Sequence, residues 1–157
     1  MKITITTGIG EGPTPLAAFD QALLNAGVAN YNLIYLSSII PPHSVIERGC
    51  YVTPPDEYGH RLYLVMACQR AEEPGTSAWA GIGWTQENAS GKGLFVELHG
   101  SNQSEVERAI DQTLTSMIAS RPSPYGPIHC EVVGTTCQDK PVCALVLAVY
   151  KSEGWDD

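Results

Sequence analysis

The stretch LIYLSSIIPP, residues 33–42, sets two serines side by side at the end of an apolar run and then stiffens the chain with Pro41 and Pro42. Hydroxyls so placed could act in hydrolysis, with Ser37 or Ser38 as nucleophile and His43 as base. No G-x-S-x-G elbow surrounds them, and a lone histidine after two prolines reads as a solvated loop residue. They could also act on the chain itself. A serine hydroxyl that attacks the carbonyl before it turns the amide into an ester. Elimination from that ester leaves dehydroalanine, which water converts to a pyruvoyl group and ammonia. This needs a serine at the cut, a distorted preceding peptide and a polar group for the oxyanion. The residues alone leave open a third reading, two serines that simply end a strand.

Other motifs argue more weakly for chemistry. Gly8, Gly10 and Gly12 lie between an expected strand and an expected helix, where a dinucleotide fingerprint would lie. Pro13 stands at the next fingerprint position and no acid follows the next strand, so GIGEGP reads as a loop that holds no phosphate. The five cysteines are an odd count without a C-x-x-C, and the His and Cys positions show no zinc spacing. They read as buried free thiols.

Apolar residues make up 43% of the 157, enough for one packed core, so a single domain over 1–157 is expected. A net charge of −8 argues against a nucleic-acid binder, which needs a basic face. No run approaches a membrane span, and MKITITTGIGEGP carries no signal core, so a soluble cytoplasmic protein is expected.

The elements that must position the serines follow from periodicity. Residues 2–7 alternate as a strand. Thr14 and Pro15 read as the N-cap and first position of a helix that Gly27 stops. Residues 31–37 form a strand, and 41–60 a long irregular connection. Strands are expected at 61–69, 77–84 and 93–100. A helix over about 104–120 follows, started by Ser104 with Glu107 or by Ser101, with a stripe of Val106, Ile110, Leu114 and Met117. Strands at 128–136 and 142–150 precede a loose tail, SEGWDD. Two helices with strands in runs predict an α+β layered sandwich.

The block GEGPTPLAAFDQALLNAGVANYNLIYLSSIIPP, residues 10–42, resembles the pyruvoyl-dependent arginine decarboxylases. The likeness resumes at GLFVELHG, residues 93–100, and more faintly at CALVLAVY, residues 143–150. It implies an αββα sandwich with mainly antiparallel sheets, cut between Ser37 and Ser38 into a β subunit of residues 1–37 and an α subunit of residues 38–157. Ser38 would become the pyruvoyl cofactor, which forms a Schiff base with the substrate and accepts electrons when carbon dioxide leaves. By the same likeness Asp20 binds the substrate guanidinium, Leu16 packs along its aliphatic chain and Asn32 assists processing or orients the site. Glu97 protonates the α-carbon, which requires a raised pKa. The implied reaction is L-arginine to agmatine and carbon dioxide, for polyamine synthesis or acid consumption, in a homotrimer of αβ units or a dimer of trimers. Ala29 and Tyr31 depart from the smaller or aliphatic pattern expected in the turn before the strand, at the border of the guanidinium pocket. The alternatives are a pyruvoyl decarboxylase of another amino acid such as histidine, and an uncut binding protein on the same scaffold.

Overall fold

The computed structural model describes residues 1–156. Its elements are β1 (Lys2–Glu11), α1 (Pro15–Ala26), β2 (Asn32–Tyr35), β3 (Ile39–Ile40), β4 (Val45–Arg48), β5 (Arg61–Ala71), β6 (Ser77–Gln86), β7 (Gly93–Gly100), α2 (Gln103–Ala119), β8 (His129–Thr136) and β9 (Val142–Glu153). One sheet runs β2-β5-β9-β1-β4 and the other β3-β7-β6-β8. Among the described residues only β1–β4 and β2–β5 are parallel pairs; the rest are antiparallel.

Three hydrophobic layers make this the expected αββα sandwich. Strand β9 shows why: it is buried on both faces, and its side chains alternate between them. Cys143, Leu145, Leu147 and Val149 meet Ala18, Ala22 and Leu23 of α1. Val142, Ala144, Val146, Ala148 and Tyr150 face the other sheet, against Ala80, Ile82 and Phe95. Leu94 and Val96 of β7 point outward, where Val106, Ile110 and Leu114 of α2 cover them. Phe95 thus turns to the space between the sheets.

Several expectations change. GIGEGP is a loop only at Gly12 and Pro13: β1 continues through Gly8 and Gly10 to Glu11. A Cβ on Gly8 would stand 2.0 Å from the Ala22 carbonyl oxygen, and one on Gly10 2.2 Å from that of Ala18. Glycine there lets α1 lie directly on the strand. The connection 41–60 holds the edge strand β4 and a 3-10 turn, Pro55–Glu57. The strand expected over 31–37 stops at Tyr35. Helix α1 keeps its foreseen ends: the Thr14 hydroxyl accepts from the Ala17 N–H at 3.1 Å, and Gly27 closes it at φ 82°. Helix α2 starts from Asn102 rather than Ser104 or Ser101. The Asn102 side chain accepts from the Glu105 N–H at 3.2 Å, and Ser104 donates to that same side chain at 2.8 Å. The tail is tied down rather than loose. Trp155 donates to the Gly59 carbonyl at 2.9 Å, and the Arg61 guanidinium lies 5.0 Å from the centre of its ring; Asp157 lies outside the described residues. All five thiols are free, but Cys50 and Cys130 are exposed rather than buried. Among the described residues no helix is long and apolar enough to cross a membrane.

Candidate active site

Ser37 and Ser38 lie between β2 and β3, where the chain leaves the five-stranded sheet and joins the four-stranded one. The crossover is abrupt. The Leu36 N–H still donates to the Leu64 carbonyl at 2.9 Å, while the Ser38 carbonyl already accepts from the Phe95 N–H of the other sheet at 2.8 Å. Ser38 absorbs the change of direction with φ 66°, in the left-handed region that a non-glycine residue rarely adopts.

The strained residue presents its hydroxyl to Glu97. Ser38 Oγ donates to Glu97 Oε1 at 2.6 Å, across 59 positions of sequence. Glu97 lies two residues after Phe95 on β7 and pairs with Ile82, a core residue between the sheets. Burial pushes its carboxyl above the ordinary range, and the Ser38 hydrogen bond offsets part of that rise. A carboxyl this close can take a proton from the hydroxyl or give one to a neighbouring atom.

Two further contacts carried no signal in the sequence. The Phe95 N–H is a backbone donor, which any residue type could supply. Tyr150 donates from its hydroxyl to the Ile39 carbonyl at 3.0 Å, although its sequence context, VCALVLAVY, reads as plain core. A cavity of about 370 Å³ opens beside the junction, with Leu36, Ser37, Ile39, Tyr63, Tyr150 and Lys151 in its wall.

The other expected site residues lie elsewhere in the chain. Asp20 and Leu16 are exposed on α1, where they line a separate cavity of about 480 Å³ with Phe19 and Leu23. The five-stranded sheet stands between that helix and Glu97. Packed sheets alone are about 10 Å apart, so one chain does not bring Asp20 to Ser38. Asn32 spends its side-chain amide on the Gly59 carbonyl at 2.7 Å, and its N–H on the His60 carbonyl at 2.8 Å. Ala29 packs partly buried against the α1 side of the sheet. Tyr31 is buried there, edge-on to Tyr51, and donates its hydroxyl to Glu57.

Comparison with known proteins adds one consistent finding. The family model "Pyruvoyl-dependent arginine decarboxylase" matches residues 2–153. A pyruvoyl-dependent arginine decarboxylase of Thermococcus kodakarensis is 32% identical over 148 residues, covering 92% of this chain and 91% of its own. One from Pyrococcus abyssi is 32% identical over 151 residues, covering 94% and 93%. Among solved structures, a pyruvoyl-dependent histidine decarboxylase at pH 8 aligns with a TM-score of 0.44 and 16% identity, over 66% of this chain and 58% of that one.

Proposed function

We propose that this chain, which belongs to the family of pyruvoyl-dependent arginine decarboxylases, cuts itself between Ser37 and Ser38 and converts L-arginine to agmatine and carbon dioxide. The observation that carries the reading is the strained Ser38, whose hydroxyl lies 2.6 Å from the carboxyl of Glu97. In the cut, Ser38 Oγ bonds to the Ser37 carbonyl carbon and the Ser37–Ser38 C–N bond breaks. The hydroxyl proton passes to the freed amine, with Glu97 as the base that relays it. Loss of the residue 38 α-proton then expels the Ser37 carboxylate. The dehydroalanine that remains tautomerises, takes up water and releases ammonia. The cut divides one domain, 1–157, into 37 and 120 residues.

The residues present fit the resulting group. The Phe95 N–H already holds the carbonyl of residue 38, the one that would conjugate with the new keto group. The pyruvoyl group supplies an electrophilic carbon for the substrate amine and a sink for the electrons that carbon dioxide leaves behind. Glu97, its carboxyl raised by burial, holds a proton beside the reacting centre and returns it to the substrate α-carbon. Asp20 accepts two parallel hydrogen bonds from the guanidinium, with Leu16 beside the aliphatic chain. Asn32 orients the site by fixing the start of β2 to Gly59 and His60. Because Asp20 and Ser38 are separated within one chain, the guanidinium site comes from a neighbour. We assign a homotrimer of αβ units, active in the cytoplasm.

Denaturing mass spectrometry together with carbon dioxide release from a panel of amino acids tests the reading. Fragments of 37 and 120 residues and turnover confined to arginine are expected. An unbroken chain that releases no carbon dioxide would make it a binding protein instead. A cut chain that prefers another amino acid would overturn the substrate.

A further inference from the structure

Ser38 stays in a disfavoured conformation only if its surroundings fix it from more than one side. On the four-stranded sheet, the Phe95 N–H holds the Ser38 carbonyl at 2.8 Å, and β3 pairs Ile39 with Leu94 and Ile40 with Gly93. From the five-stranded sheet comes one side chain. Tyr150 projects from β9 into the space between the sheets, is only 8% exposed, and sets its ring edge-on to Phe95 with centroids 6.1 Å apart. Its hydroxyl donates to the Ile39 carbonyl at 3.0 Å. Two successive peptide planes downstream of the junction are therefore held from opposite sheets, 38–39 by Phe95 and 39–40 by Tyr150. The phenol remains a donor, because burial and, to a lesser extent, the Glu97 charge both disfavour its ionisation.

We propose that Tyr150 is the positioning residue for self-cleavage: by holding the Ile39 carbonyl from the opposite sheet, it keeps Ser38 in the left-handed conformation that places its hydroxyl on Glu97. The inference rests on the self-cleaving reading above and adds to it a residue that touches no reacting atom. In the step it serves, the Ser38 Oγ–Ser37 C bond forms, the Ser37–Ser38 C–N bond breaks and the hydroxyl proton goes to the freed amine. The attacking residue is thus fixed from its downstream side.

The test follows cleavage of the full-length chain after a pulse of cell-free synthesis, read on denaturing gels, with thermal unfolding measured alongside. Two replacements at position 150 lack the donor: Tyr150→Phe, and 4-methylphenylalanine, which also fills the space of the lost hydroxyl. Both are expected to cut about tenfold more slowly, the scale of one hydrogen bond lost from the reacting geometry. 4-Aminophenylalanine restores a donor and is expected to restore the rate to within about threefold of wild type. Val146→Ala, in the same core layer, serves as a packing control that lowers the melting temperature while cleavage keeps its wild-type rate. Non-donor variants that cut at the wild-type rate would overturn the role of Tyr150 alone. So would a Val146→Ala chain slowed as much as they are, or an amino variant as slow as Tyr150→Phe. A wild-type chain that never cuts would overturn the self-cleaving reading, and this inference with it.

Discussion

Replacing Ser38 with glycine and, separately, with alanine isolates backbone strain from chemistry. Both substitutions remove the hydroxyl, so both lose the 2.6 Å hydrogen bond to Glu97, and that loss cancels when the two are compared. What differs is the cost of φ 66°. A left-handed conformation costs an L-residue roughly 1–2 kcal/mol, a cost glycine escapes. Glycine's greater freedom in the unfolded chain returns about 0.5–1 kcal/mol of that advantage. Taking the midpoints of both ranges, the glycine variant is therefore expected to be more stable than the alanine variant by about 0.75 kcal/mol. At this chain length that is about 1.5–3 °C in melting temperature. This reverses the order expected in an ordinary strand or helix, where glycine is the weaker residue. Calorimetry on both variants, with denaturing mass spectrometry of the same samples, gives the answer. Both chains should run as single, uncut molecules. An alanine variant as stable as the glycine variant would refute the strain at residue 38, and either variant cut at the wild-type rate would refute attack by its hydroxyl.

Four further outcomes are expected. The 1–37 piece should stay bound after cleavage and separate only in denaturant, because β1 is hydrogen-bonded between β4 and β9 and β2 lies along β5; native size-exclusion of cut protein checks this. Asp20→Asn should lower kcat/KM for arginine by roughly 10–150-fold, the loss of a charge-assisted pair worth about 1.5–3 kcal/mol, with the cleavage rate unchanged. Decarboxylation should fall as pH rises through the raised pKa of Glu97, since the donor must be protonated. Stability has the same sign: a carboxyl whose folded pKa lies above its unfolded value contributes most below both, and its contribution is lost as pH rises through the folded one. Finally, Asp20→Ala and Ser38→Ala chains, each inactive alone, should regain turnover when co-refolded, because each supplies what the other lacks; no recovery would place the whole site within one chain.

How far the sequence could be read depended on whether a feature leaves a mark in residue type. Strand β9 and the apolar stripe of α2 did, since burial on defined faces selects apolar residues at fixed periods. The glycines of β1 misled, because they read as a turn while their purpose is contact with α1, a tertiary fact. Strand β4 is short, sits on an edge, and has most of its residues exposed, so its composition resembles a connection. The Ser38–Glu97 pair spans 59 positions and became legible only through likeness to a family. The Phe95 N–H could not be read at all, since backbone donors are common to every residue but proline.

On the self-cleaving reading, one carboxyl meets two opposite demands, and the cut itself changes its character. Before cleavage, the Ser38 hydroxyl donates to Glu97 and holds its pKa down against burial, which favours a base. The oxygen of that hydroxyl then leaves residue 38 as part of the Ser37 carboxylate. Glu97 loses the hydrogen bond that stabilised its charge, while the burial that opposes the charge remains. The pKa moves further up, toward the proton-bearing form that decarboxylation requires. The atom that offset part of the rise caused by burial is the one consumed in making the cofactor. The same logic accounts for the crossover between the sheets. A serine held by Phe95 on one side and, through Ile39, by Tyr150 on the other keeps its strain until the bond breaks, and the carboxyl two residues beyond Phe95 is already in place for the next reaction.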